Sequence, residues 1–146
     1  MPRRFPVAAG CAILISGLMG APASAHVVLD TREAPAGSYF KGLFRIGHGC
    51  GTSPTVRVTV QIPSGILSVR PQPKAGWTNE HFDEFALQMK LPDAADGGVL
   101  IFPVIQDCAQ GTRAWVEVPK PGQSRWDLTS PAPTLTLTAK PQTHKH

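Results

Sequence analysis

No block of like charge interrupts this sequence, and no aromatic residues alternate with basic ones along it. Those absences remove the electrostatic footprint of a nucleic-acid binder, so nucleic acid is not an expected partner. No stretch of helical periodicity is long enough to matter, which points away from helical layers. Catalytic signatures are missing too: no serine is paired with a plausible base, and neither a glycine-rich phosphate loop nor a dinucleotide fingerprint is present. No catalytic residue is therefore assigned, and the chain is not expected to be an enzyme. No internal repeat or linker suggests a second domain.

The amino terminus reads as an export signal. Arg3 and Arg4 precede an apolar run from Val7 to Met19, and Ala23-Ser24-Ala25 forms a small-x-small cleavage site. That run is about 13 residues long, whereas a spanning helix needs about 20, so residues 1–25 are expected to be removed before His26 and to leave no membrane span. The expected domain covers 26–140, with a flexible tail at 141–146 that has no hydrophobic pattern. The net charge of +4 falls to +2 once Arg3 and Arg4 leave. Of three cysteines, Cys11 leaves with the signal, while Cys50 and Cys108 remain. In an oxidising compartment an isolated pair is most simply a disulfide, although two thiolate metal ligands are the competing reading.

Alternation of period two dominates what remains. It runs through Thr55 to Ile62 and through Phe85, Leu87, Met89 and Leu91, and it recurs at Leu135 and Leu137 among threonines. Tyr39 to Ile46 and Arg113 to Val118 add two more strands. The apolar run Val99 to Val104 reads as a core strand whose Pro103 calls for an edge or a bulge. Arg70 to Trp77, with Pro71 and Pro73, reads as a rigid loop with Trp77 against the core. Short strands punctuated by 15 prolines and 14 glycines predict an all-β antiparallel sandwich.

Three places could carry chemistry. Cleavage before His26 would give that residue a free amine beside its imidazole, and amine plus Nδ1 form a chelate suited to copper or zinc. In Gly47-His48-Gly49-Cys50 the flanking glycines leave an imidazole accessible on a loop that a disulfide would fix; a plain surface turn is the competing reading. In Ala114-Trp115-Val116-Glu117-Val118, a core-facing small set would send Trp115 and Glu117 outward together, as a site wall or an ordinary edge. His81, His144 and His146 are weaker candidates. Asp30 and Glu33 lie close to His26 in sequence, although strand geometry could carry them away from it.

Taken in order, Ala23-Ser24-Ala25, His26-Val27-Val28, Glu33 to Tyr39, His48-Gly49-Cys50, Ser53-Pro54-Thr55, Pro71 to Trp77 and Cys108-x-x-Gly-x-x-x-Trp115 resemble the YcnI-like copper-binding domain family across nearly the whole mature chain. The resemblance implies an immunoglobulin-like or cupredoxin-like sandwich outside the cytoplasmic membrane. It also implies one Cu(II) held by an amino-terminal histidine beside a tryptophan, with a role in copper acquisition or trafficking among other envelope copper-handling proteins. Carried over, these roles fall on His26 and Trp115. Where some members place an acidic ligand, this chain has His48, which would give copper three nitrogens plus water. Glu117 is a candidate hydrogen-bond partner for the imidazole, and Glu117, Asp30 or water could fill a remaining position. Many relatives have a longer insertion after the residue matching Trp77, so one strand fewer is expected here. Two rival functions share the fold: a histidine-brace copper oxidase acting on polysaccharide, and a metal-free envelope adaptor.

Overall fold

The computed structural model describes residues 26–74, 83–93 and 98–140. The expected signal peptide, Trp77, His81, His144 and His146 lie outside the described residues. Among the described residues, alternation is realised as ten short strands: β1 (Val28–Leu29), β2 (Glu33–Pro35), β3 (Tyr39–Ile46), β4 (Thr55–Val60), β5 (Ser68–Pro71), β6 (Asp83–Lys90), β7 (Val99–Ile101), β8 (Val104–Cys108), β9 (Thr112–Trp115) and β10 (Thr134–Thr138). Among the described residues a single 3-10 turn, Arg125–Asp127, precedes β10.

One sheet has the order β1-β3-β6-β5, a second β2-β10-β7 and a third β4-β8-β9. Inward-pointing residues from all three meet in one core. Phe40, Phe44 and Met89 come from the first sheet, Leu100, Leu135 and Leu137 from the second, and Val104 and Trp115 from the third. Burying each large apolar side chain contributes about 1.5–3 kcal/mol, which is what makes alternation specify the layers. Phe44 and Phe102 meet edge to face with centroids 5.5 Å apart, a favoured aromatic geometry. The result is the all-β sandwich expected from the pattern.

Four details depart from the sequence reading. First, β2 runs parallel to β10, whereas the other pairs of these ten strands are antiparallel; the chain crosses between sheets after β1 instead of making a hairpin. Second, Val99–Val104 is not one strand. The chain changes sheets at Phe102-Pro103, with Phe102 N–H donating to Pro133 O (2.9 Å) and Pro103 O accepting from Gln61 N–H (2.8 Å). A residue with no N–H is suited to such a break. Third, the β4–β8 register slips between Thr55 and Arg57. Val56 is the extra residue of this bulge and is turned outward, 54% exposed, while Val58 and Val60 pack on the core. Fourth, Arg70 and Pro71 are not loop residues: they end β5, an edge strand paired with β6, where a proline is tolerated.

Candidate metal centre

His26 is half-buried and is held in place by the residues that follow it. Val27 and Leu29 are sunk in the core, and Val28 and Leu29 pair with Arg45 and Phe44 of β3. Its imidazole is thereby set against two indoles. The Trp115 ring meets it edge-on, with centroids 5.7 Å apart and planes at 80°. The Trp126 ring is tilted at 38°, with its centroid 6.4 Å away.

Trp115 occupies the opposite side of its strand from the one the sequence suggested. It is 1% exposed, whereas Val116 and Val118 are 44% and 51% exposed. Alternation tells which residues share a face but not which face is inner; an indole has far more apolar surface to hide than alanine or valine. Because β9 ends at Trp115, period two also cannot be carried on to Glu117. The buried indole N–H donates to Gln106 Oε1 (3.0 Å). Gln106 is itself fully buried, and its Nε2 donates to His48 O (2.8 Å) and to Thr55 Oγ1 (2.7 Å). One amide therefore links the wall behind His26 to the main chain of His48. Sequence reasoning overlooked Gln106, although the alternation Val104, Gln106, Cys108 in β8 places it inward.

The loop carrying His48 is tied down on several sides. Cys50 and Cys108 form a disulfide with Cα atoms 6.1 Å apart, so neither presents a thiolate. Cys50 and Ser53 exchange main-chain hydrogen bonds, and Ala109 N–H donates to Pro54 O. Ser53 Oγ accepts from Gln110 N–H (2.7 Å). Gly49 is needed for close approach: a Cβ there would run into the main chain of Ser53. The His48 ring is half-buried, with Nδ1 3.3 Å from Gly49 O.

The carboxylates are committed elsewhere. Glu117 is exposed, and its Oε2 accepts from Ser130 N–H (2.5 Å). Asp30 lies 3.1 Å from Arg45, which also pairs with Glu84 (3.0 Å). Trp126, a residue the sequence reading passed over, is 61% exposed and stands in the 3-10 turn. Ser124 Oγ accepts from Trp126 N–H while Asp127 Oδ2 accepts from Ser124 N–H. This reciprocal cap fixes the turn, and the Ser124-x-x-Asp127 spacing was its only sequence signal.

Among the described residues, no three side chains of His, Cys, Asp or Glu come together as a metal cluster. A metal at His26 must therefore draw on something besides such a cluster. Were the chain cut before His26, its imidazole and the new amine would offer two nitrogens on one residue, a donor set of the kind that suits copper or zinc.

With this geometry in place, comparison with known proteins is informative. The family described as "Domain of unknown function (DUF1775)" matches residues 26–80 and 78–137. The chain belongs to the DUF1775 family. YcnI-like copper-binding proteins belong to the same family. The two matched pieces of this DUF1775 chain overlap at 78–80. A solved structure of an uncharacterised protein from Nocardia farcinica, described as revealing an immunoglobulin-like fold, is similar at a TM-score of 0.64 and 26% identity, covering 78% of this chain and 99% of that one. No curated protein matches the chain.

Proposed function

We propose that this DUF1775 protein is an extracytoplasmic copper-handling protein that carries one Cu(II) at His26 after cleavage of residues 1–25. The supporting observation is the seat of the His26 imidazole against Trp115 and Trp126. Imidazole Nδ1 and the new α-amine are the chelating pair, and a ring already held by packing loses less freedom on binding. His48 is the proposed further nitrogen donor, on a loop braced by the disulfide and by Gln106. Trp115 is proposed as the wall beside the ion; its indole N–H is engaged by Gln106 and its ring closes one side of the site. Because protons compete for an α-amine that normally titrates near 7.7–8.0, affinity should weaken as pH falls. The role that fits is copper trafficking with other envelope proteins.

The test compares protein beginning at His26 with protein carrying one added glycine ahead of it. Cu(II) affinity should fall sharply in the extended form with an unchanged circular dichroism spectrum, and EPR should lose equatorial nitrogen coupling. Equal copper affinity in the two forms would defeat the chelate. His48→Ala should remove one further nitrogen from the spectrum of the processed protein.

A further inference from the structure

Two guanidinium groups lie against the exposed face of the site. Arg32 Cζ is 5.7 Å and Arg125 Cζ is 5.2 Å from the Trp126 ring centroid. Both stems are fixed at the main chain: Arg32 O accepts from Thr136 N–H of β10 (2.8 Å), and Arg125 lies in the capped turn, where its O accepts from Leu128 N–H (3.3 Å). Neither side chain forms an ion pair among the described residues. Arg125 is the more telling. Its Nε and Nη2 are buried from solvent and have no hydrogen-bond partner among the described residues. A guanidinium has five donors and no acceptor, and leaving its donors unmet away from water is costly. The charge acting on Arg125 is that of Arg32, another cation, which together with burial lowers the Arg125 pKa, burial being the larger cause. The nearest acid in sequence, Asp127, accepts from Ser124 N–H within the cap.

An anion with two acceptor oxygens would satisfy these unmet donors and relieve the repulsion between like charges. Arginine forks are matched to such ligands. The wall is also largely apolar, since the Trp126 indole is 61% exposed, and this favours an organic acid over a bare inorganic anion. We propose that Arg32, Arg125 and Trp126 form a binding site for a carboxylate-bearing small molecule, next to His26. The site requires no metal.

The experiment titrates metal-free protein with succinate and, separately, with inorganic phosphate. Ionic strength is held constant with chloride, because exposed charges are screened over about 10 Å at 0.1 M salt. Binding is read from arginine Nε–Hε and indole N–H resonances. Succinate should saturate shifts of Arg32, Arg125 and Trp126, and should bind more tightly than phosphate. Arg125→Gln and Arg32→Gln should each weaken succinate at least about tenfold, the effect of losing a charge-assisted hydrogen bond. Arg57→Gln, which breaks a pair with Asp107 in the third sheet, should leave binding unchanged. Shifts no larger than those given by chloride, unchanged affinity in both arginine variants, or phosphate binding as tightly as succinate would each overturn the proposal. Metal-free protein keeps this outcome separate from the copper reading.

Discussion

Replacing Gln106 by leucine tests whether the buried amide, and not the surrounding apolar packing, holds the site together. The two side chains are similar in size, so little cavity forms, but three hydrogen bonds vanish: from Trp115 Nε1, to His48 O and to Thr55 Oγ1. Leaving a buried donor unmet costs about 1–3 kcal/mol. Trp115 is fully buried and would bear that cost in full. His48 and Thr55 are half-buried, so water can reach their acceptors and recover part of it. Allowing for leucine's gain in apolar burial, the expected net loss is about 2–3 kcal/mol. That is a large share of the roughly 5–15 kcal/mol typical of a domain. Urea unfolding followed by far-UV circular dichroism measures it, and a double-mutant cycle isolates the mechanism. Trp115→Phe removes the indole donor, so Gln106→Leu should cost about 1 kcal/mol less or better in that background. If Gln106→Leu unfolds at the wild-type urea midpoint, or if the two effects simply add, the amide is not the link between Trp115 and the His48 loop.

Two further outcomes follow from other parts of the fold. Cys50→Ser with Cys108→Ser opens a loop of 58 residues and should cost about 4 kcal/mol in the chain-entropy model, read as a lower urea midpoint; an unchanged midpoint would show that the disulfide does not restrict the unfolded chain. Asp107 is hydrogen-bonded by Arg57 and by Thr112, which hold its carboxyl below the usual range. A folded value below the unfolded one gives stability that is present above about pH 4 and lost as pH falls through the folded value. Asp107→Asn should therefore flatten the acid limb of a stability-versus-pH curve, and identical limbs would contradict the assignment.

The sandwich was legible because its strands carry their pattern in the residues themselves. Tyr39–Ile46 was read with the bounds it has, and Leu135 and Leu137 are both core residues, since alternation marks the strand and a single clearly apolar face marks its inner side. The pattern was less informative where two faces competed. In β9 either the alanine–valine set or the tryptophan could face inward, and only the larger apolar area of the indole decides. Val56 was misplaced for a different reason: one bulge residue reverses the face of what precedes it, and a bulge has no signature in alternation. The edge strand β5 was missed because Pro71, with Pro73 just beyond the strand, reads as a loop, although an edge imposes no such exclusion.

The site itself was only half legible, because contacts across the fold do not follow from spacing. Position and chemistry marked His26, but its contact with Trp115 depends on β1 and β9 reaching the same end of the sandwich, and its contact with Trp126 depends on a capped turn. The result has two unlike sides. Trp115 is buried and braced through Gln106 to the disulfide loop, so that side is a fixed wall; Trp126 is exposed and lies under two guanidinium groups. If both proposals hold, the consequence is electrostatic. A bare cupric ion approaching past Trp126 meets two positive charges, while a copper–carboxylate complex brings the oxygens that neutralise them. Copper supplied with succinate should then load faster than copper supplied with nitrate at the same ionic strength, and Arg125→Gln should narrow that difference. A rate independent of the accompanying anion would separate the two sites and leave each to stand on its own geometry.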